Sequence, residues 1–267
     1  MIVVTSVLSL AGYFLCAVLI YQNLVASKTP GWPQLTPAVI AVLLHAVVLH
    51  DQIYPAAGVM SLSFLISFSL VSWLVSMQIL ISCLYRPLHS LGIVMFPLTG
   101  LAVLLPLIAP AGQPTIIDSS QFLRGHVMIA IIAYSLIMLG ALQAVALAIQ
   151  DHAIRSHHPG GMVRFMPSLH DMENLLFQMI GFGFIFLTTA LISGFFFVED
   201  LFAQHLVHKT VLSILGWFIL AILLFGRFRF GWRGRTAIWW TLSAFLFIML
   251  AFFGSKLVLE YLVTPGT

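Results

Sequence analysis

Long apolar runs alternate with short polar connections along the whole chain. A helix needs about 20 apolar residues to cross the hydrocarbon core of a bilayer, and we count eight such runs. The pattern predicts an all-α, polytopic membrane protein with eight transmembrane helices in one bundle, and residues 1–267 as a single integral-membrane domain. The predicted spans are residues 2–25, 35–51, 59–84, 88–109, 125–150, 175–198, 207–226 and 237–260.

The polar connections are short, and none contains a domain of its own. The longest covers residues 151–174 and is interrupted by Pro and Gly, which predicts a loop. The first span begins at Ile2 with neither a preceding basic segment nor a clear small-residue cleavage site. We therefore expect it to remain a membrane span rather than to be removed as a signal peptide.

The composition supports a membrane protein and excludes several other classes. Hydrophobic residues make up 61% of the chain and charged residues only 7%, whereas a soluble domain carries about 25% charged residues. A soluble enzyme, a nucleic-acid binder, a disordered chain and a disulfide scaffold are therefore excluded. Cys16 and Cys83 both lie within apolar runs, so we expect them to act as packing residues.

The distribution of Lys and Arg predicts how the helices are oriented. Eight of the eleven basic residues fall in the connections after spans 1, 3, 5 and 7, and the positive side of a membrane protein faces the cytoplasm. Both termini are therefore expected outside. The segment RFRFGWRGR, residues 227–235, is the strongest signal. We interpret it as a topology anchor, with binding of anionic lipid or a cytoplasmic partner as the alternative.

This orientation divides the ten histidines into two groups. Those expected in cytoplasmic connections are interpreted as solvated residues, although His157-His158 leaves weak metal binding as an alternative. His45 has only apolar neighbours, so its ring must face the bundle interior, and an ionisable residue there is a functional hypothesis by default. The histidines expected toward the outer face are His45, His50, His126, His205 and His208.

A haem site accounts for this outer group better than hydrolytic chemistry. The chain contains neither an HExxH metal motif nor a GxSxG nucleophile motif. Haem iron needs one or two axial imidazoles on facing helices within an apolar, aromatic-rich slot, and 22 Phe and 6 Trp are available. The alternative interpretation is that His45 and His126 are hydrogen-bonded packing or interfacial residues.

Several segments resemble the CcsA/HemX-type cytochrome c assembly proteins. One family helix has a histidine followed by a Ser-Tyr-Ala turn, and residues 124–137, RGHVMIAIIAYSLI, are similar to it. Another family helix has the pattern K-x-x-W-A-x-x-x-W, and residues 209–217, KTVLSILGW, are similar to that one. LLHAVVLH, residues 43–50, resembles the early helix with its leading histidine. FFGSKLVLEYL resembles the last helix, and the order of these segments covers nearly the full chain.

The chain also departs from this family pattern. Full-length haem lyases of the family carry a tryptophan-rich WGxxWxWD loop that presents haem. Here EDLFAQHLVHK, residues 199–209, takes its place, without tryptophan. The family's later histidines also lack counterparts, and Phe225 and Lys256–Glu260 stand there instead. The resemblance therefore implies an accessory, haem-handling role rather than a catalytic one.

The resemblance and the histidine pattern together define the expected site. His126 is expected to bind the iron of haem b, with His45 or His208 as its partner, and Arg124 or Lys209 to pair with a haem propionate. The expected location is the bacterial inner membrane. The expected partners are membrane lipid, haem and a cytochrome assembly or regulatory protein.

Two other functions remain open from the sequence. One is a regulatory subunit that acts through a partner at the cytoplasmic loops. The other is a permease-like subunit with broken helices, for which the prolines of span 4 and the glycines of span 6 are the evidence: Pro97, Pro106, Pro110, Gly181, Gly183 and Gly194.

Overall fold

The computed structural model describes most of the chain as helix. The described residues are 1–26, 28, 30–55, 60–85, 89–108, 115–117, 121–156, 163, 166–197 and 207–257. Within them, eight helices are long and apolar enough to cross a membrane, which confirms the predicted fold class. Contacts divide the chain into two units, Met1–Ser119 with Thr264–Thr267 and Ser120–Val263.

The first unit is a ring of four helices. Helix α1 packs against α2 and α4, and α3 packs against the same two helices. Two three-residue strands also pair antiparallel, with Met60 opposite Ile117. The elements are α1 (Ile2–Val25), α2 (Trp32–Ile53), β1 (Met60–Leu62), α3 (Phe64–Tyr85), α4 (His89–Ala102), α5 (Leu105–Ile108) and β2 (Thr115–Ile117).

Helices α1 and α2 approach each other closely because small residues line their contact. A Cβ added to Gly12 would lie 2.9 Å from the carbonyl oxygen of Pro37 and 3.0 Å from Cβ of Ala41. The Ser9 hydroxyl donates a hydrogen bond to the Ala41 carbonyl at 2.9 Å. Small residues of this kind let helix backbones pack tightly in a membrane.

Helix α2 begins three residues before the predicted start at residue 35, because local hydrogen bonds compensate for its prolines. The Gly31 N–H donates to Oε1 of Gln34 at 2.9 Å, which caps the first turn. Pro37 has no N–H to offer the Pro33 carbonyl. The Thr36 hydroxyl donates to that carbonyl instead, at 2.9 Å.

The fourth predicted span, 88–109, is found as the spanning segment His89–Ile108, with a short interruption near its end. Helix α4 ends at Ala102 and α5 begins at Leu105, with a turn between them. Pro106 cannot donate to the carbonyl four residues earlier, which explains the interruption. Pro97, in contrast, lies inside α4 without ending it.

The second unit is also a ring of four long helices. Helix α6 packs against α7 and α9, and α8 packs against the same two. A π-helical turn follows α9 directly and leads into the last short helix. The elements are α6 (Gln121–Arg155), α7 (Leu169–Phe197), α8 (Val207–Phe230), α9 (Gly234–Met249), the π-helical turn (Leu250–Gly254) and α10 (Ser255–Leu257).

Helix α6 extends beyond the predicted span 125–150 at both ends. At its end, Nε of Arg155 pairs with Oδ2 of Asp151 at 2.9 Å, an i, i+4 ion pair that supports an additional turn. Ser168 caps α7, where its hydroxyl oxygen accepts from the Asp171 N–H at 3.2 Å. Polar turns thus continue both helices into the predicted loop 151–174, and His157-His158 lies outside the described residues.

Candidate functional site

His126 is held in one orientation by a serine on the neighbouring helix. Nδ1 of His126, on α6, lies 2.9 Å from Oγ of Ser193, on α7. The Ser193 hydroxyl donates its own proton to the Ala190 carbonyl at 3.0 Å, so its oxygen accepts from the histidine. In this arrangement Nδ1 carries the ring proton and Nε2 has the lone pair.

Nε2 of His126 is the side of the ring that could bind a ligand. The hydrogen bond to Ser193 is made through Nδ1, on the other side of the ring. A histidine that binds a metal characteristically donates its other ring N–H to a neighbouring acceptor, which fixes the tautomer and the ring plane. The His126–Ser193 pair has that arrangement.

Gly194 makes room for the His126 ring. A Cβ at this position would lie 3.1 Å from Cε1 of His126, closer than ordinary side-chain contacts. The imidazole therefore packs directly against the backbone of α7. Ser193 and Gly194 together position the ring by a hydrogen bond and a close contact.

Two ammonium groups lie near the same end of the second unit. Nζ of Lys209, in the first turn of α8, is 5.5 Å from the centroid of the Phe252 ring, and Nζ of Lys256 is 5.8 Å from the same centroid. Lys209 also interacts electrostatically with His126. Lys209 and His126, which the sequence proposed separately, both belong to the second unit.

The π-helical turn brings two aromatic rings to Tyr134. The Tyr134 ring lies 5.3 Å from that of Phe252 and 5.2 Å from that of Phe253, centroid to centroid. Consecutive residues of a regular helix do not share a face, so the wider turn is what places both rings here. π-helical turns occur frequently at functional sites.

His45 lies in the first unit and is fully buried. Its Nε2 is 2.9 Å from Oγ of Ser69 on α3, and its Nδ1 is 3.4 Å from the hydroxyl of Tyr13 on α1. The Tyr13 ring also stacks on Phe96, with centroids 6.1 Å apart. Both ring nitrogens of His45 therefore have partners within this unit.

The remaining predicted residues differ in their surroundings. His208 is exposed on α8, directly before Lys209. Arg124 is half-buried on α6, two residues before His126, and residues at that spacing point to different sides of a helix. His205 lies outside the described residues.

Three features of this site were not predicted from the sequence. Ser193 and the π-helical turn had no recognisable signal, and Gly194 was interpreted as a mark of a broken helix. Helix α7 instead continues from Leu169 to Phe197 without a break. Gly183 of the same helix packs against Ile137. A Cβ added to Gly183 would lie 2.7 Å from Cγ1 of Ile137, so this glycine serves helix packing.

A site for a metal ion held by side chains alone is not found among the described residues. No group of three or more His, Cys, Asp or Glu side chains there could hold such an ion. A single imidazole suits a metal that brings most of its own ligands.

Comparison with known proteins defines the class of protein. Residues 32–263 match the family model described as cytochrome C assembly protein, and the match runs through both units. The chain therefore belongs to the cytochrome c assembly protein family. Membership favours this class over the regulatory and permease-like alternatives.

Individual relatives make the assignment more specific. The chain is 31% identical over 260 residues to the inner membrane protein YpjD of Escherichia coli (strain K12). This alignment covers 96% of the chain and 97% of that protein. The chain is 26% identical over 149 residues to the cytochrome c biogenesis protein CcsA of Chlamydomonas reinhardtii, covering 55% and 41%. Protein HemX of Brevibacillus brevis is 23% identical over 138 residues, covering 51% of each chain. No solved structure matches the chain.

These similarities also confirm the predicted location. Eight apolar helices of sufficient length are present in the described residues, and the relative that matches almost end to end is an inner membrane protein. The chain is a multi-pass protein of the bacterial inner membrane, in contact with lipid.

Proposed function

We propose that this protein binds haem b and that Nε2 of His126 would bind its iron. The observation that carries the proposal is the hydrogen bond between Nδ1 of His126 and Ser193, at 2.9 Å. It leaves Nε2 deprotonated and in a fixed orientation, which is the state in which an imidazole binds a metal.

Two groups of side chains in the second unit are proposed to contact the two other parts of a haem molecule. The macrocycle requires apolar and aromatic surfaces, and Tyr134, Phe252 and Phe253 form an aromatic cluster in the same unit. The propionates require cations, which Lys209 supplies beside His126, with Arg124 as a second candidate on α6. When bound, haem would supply a redox-active iron.

The second residue that would bind the iron is proposed to be His208 or His45. His208 shares the second unit with His126 and is exposed, so it is available as it stands. His45 would have to exchange its hydrogen bond with Ser69 for the iron. The structural observations therefore favour His208 over His45.

We further infer that the protein handles haem as an accessory component and acts with a cytochrome assembly or regulatory partner. The inference rests on EDLFAQHLVHK, residues 199–209, which stands where the family's lyases carry a tryptophan-rich loop. In cells without other assembly proteins, co-expression with an apocytochrome c is expected to yield no covalently attached haem. Covalent attachment there would contradict the accessory role.

Haem binding can be tested by titrating the purified protein in mild detergent and following tryptophan fluorescence quenching together with the Soret band. The wild type is expected to saturate at one haem per chain. His126→Ala is expected to lose at least about tenfold in affinity, the effect of removing a metal ligand or its support.

The matched control is His170→Ala. His170 is an exposed histidine at the opposite end of the second unit, where its Nε2 bonds to Asn174 at 3.0 Å. Its removal is expected to leave haem affinity unchanged. Equal affinities for His126→Ala and the wild type would overturn the proposal.

A further inference from the structure

The four arginines of the basic segment 227–235 have different roles in the structure. Arg227 donates to the Trp232 carbonyl at 3.2 Å and to Oδ1 of Asn174 at 3.4 Å. Nε of Arg233 lies 3.7 Å from Oε2 of Glu173. These two arginines attach the turn between α8 and α9 to the start of α7.

Glu173 reinforces this attachment through the backbone. Its Oε1 accepts a hydrogen bond from the Gly234 N–H at 2.6 Å, at the first residue of α9. The turn is thereby fixed, and so is the direction in which α9 leaves it. Arg229 and Arg235 remain outside this set of contacts.

Arg235 lines a cavity of about 330 Å³ between the ends of α6 and α9, which we call the α6–α9 pocket. Its polar lining consists of Asp151, His152 and Arg155 from α6 and Arg235 from α9. Asp151 pairs with Arg155 at 2.9 Å. Among the residues that the structure describes, Arg235 makes no ion pair.

The pocket is therefore positively charged overall. With histidine neutral, two guanidinium groups face one carboxylate, which leaves a net charge of +1. The guanidinium of Arg235 lies in the first turn of α9, where the positive end of the helix dipole also favours an anion. Charge complementarity thus points to a ligand with one negative charge.

The rest of the pocket lining is apolar. Along both helices, the charged lining residues lie at one end and the apolar ones follow. On α6 the lining runs from Ala148 to the charged Arg155 at the helix end, and on α9 it runs from Arg235 to Ile238 and Leu242. Since the two helices are antiparallel here, their charged residues share one end and their apolar residues extend toward the middle of the span. Trp239, which is 64% exposed, stands at the side of the pocket.

We propose that the α6–α9 pocket binds one anionic phospholipid, whose phosphate pairs with Arg235 and whose acyl chain lies along Ala148, Ile238 and Leu242. A cationic rim above an apolar groove matches a molecule that joins a phosphate to a hydrocarbon chain. An exposed tryptophan at the same level suits the membrane interface. The distribution of Lys and Arg predicts that this end faces the cytoplasmic leaflet.

The experiment counts bound lipid by native mass spectrometry of the full-length protein released from detergent, during titration with phosphatidylglycerol. One tightly bound phosphatidylglycerol is expected for the wild type, with phosphatidylcholine bound at least about fivefold more weakly. Arg235→Gln is expected to weaken phosphatidylglycerol binding about fivefold to tenfold, the effect of one charged contact. Arg235→Lys is expected to retain most of it.

Arg229→Gln is the matched control, because it removes the same charge from the same basic segment outside the pocket. It is expected to leave the affinity unchanged. If it weakens binding as much as Arg235→Gln, the attraction is a general property of the basic surface and the proposed site is wrong.

The contribution of the acyl chain to binding is tested by a separate comparison. Glycerophosphoglycerol, which is the headgroup without acyl chains, and inorganic phosphate are expected to bind far more weakly than the lipid. Leu242→Gln is expected to weaken binding of the lipid but not binding of these two anions. Equal binding of inorganic phosphate and phosphatidylglycerol would overturn the lipid assignment, as would equal binding of phosphatidylcholine.

Discussion

His126 and Ser193 form a hydrogen bond of 2.9 Å that joins α6 to α7 and sets the tautomer of the imidazole. With the serine proton donated to the Ala190 carbonyl, the histidine is the donor in this bond. A single hydroxyl thus determines which ring nitrogen is available to a metal.

Ser193→Ala is expected to lower haem affinity about tenfold while His126 remains in place. Without its acceptor the ring can rotate or change tautomer, and such supporting contacts are worth about 10- to 100-fold in metal affinity. Haem titration measures the change. Thr189→Ala is the control, since that hydroxyl lies one turn earlier on α7 and bonds to the Ile185 carbonyl of its own helix. Equal losses for the two variants would contradict the assigned role of Ser193.

Gly194→Ala is expected to weaken haem binding by displacing the His126 ring. The new Cβ would lie 3.1 Å from Cε1 of His126, and a metal ligand moved out of position loses about tenfold in affinity. Gly181→Ala is the matched control on the same helix, because a Cβ there meets nothing within 4 Å. It should bind haem normally and gain up to about 1 kcal/mol in helix stability. Unchanged haem affinity in Gly194→Ala would argue against the close contact.

Lys209→Gln is expected to lower haem affinity about tenfold, since a charged hydrogen bond contributes about 1.5–3 kcal/mol. The loss should disappear when haem dimethyl ester, which has no free propionates, replaces haem in the titration. Lys28→Gln, in the connection between α1 and α2, is the control. A full loss with the ester as well would show that Lys209 acts through the fold of the site and does not pair with a propionate.

Ser69→Ala is expected to destabilise the protein by about 1–3 kcal/mol, because it leaves Nε2 of the buried His45 without a partner. The melting temperature in detergent measures this loss. Ser72→Ala provides the comparison, since that buried hydroxyl bonds to the Ser69 carbonyl within α3. Its removal should cost less. If the two variants melt alike, the His45–Ser69 bond does not stabilise the first unit.

The fold was largely predictable because hydrophobic length determines it. Apolar runs located all eight spans found in the described residues, but their ends depend on local polar contacts that a hydropathy pattern does not contain. The Asp151–Arg155 pair extends α6, and the Thr36 hydroxyl allows α2 to begin ahead of Pro37.

The site was only partly predictable, for a similar reason. His126 and Lys209 were identified from their residue types and from the family resemblance, and the structure places them in one unit. Ser193 and Gly194 were missed because a small residue in an apolar run is typical of ordinary helix packing. The rings of Phe252 and Phe253 both contact Tyr134 because a π-helical turn contains the two residues. The residue pattern does not reveal that turn.

The most direct test of the central claim is the electronic absorption and paramagnetic resonance spectrum of ferric haem bound to His126→Cys, compared with the wild type. If residue 126 binds the iron, the substitution exchanges an imidazole for a thiolate ligand, and both spectra should change to those of a thiolate-ligated haem. If His126→Cys binds haem with spectra identical to those of the wild type, another residue binds the iron and the account is wrong.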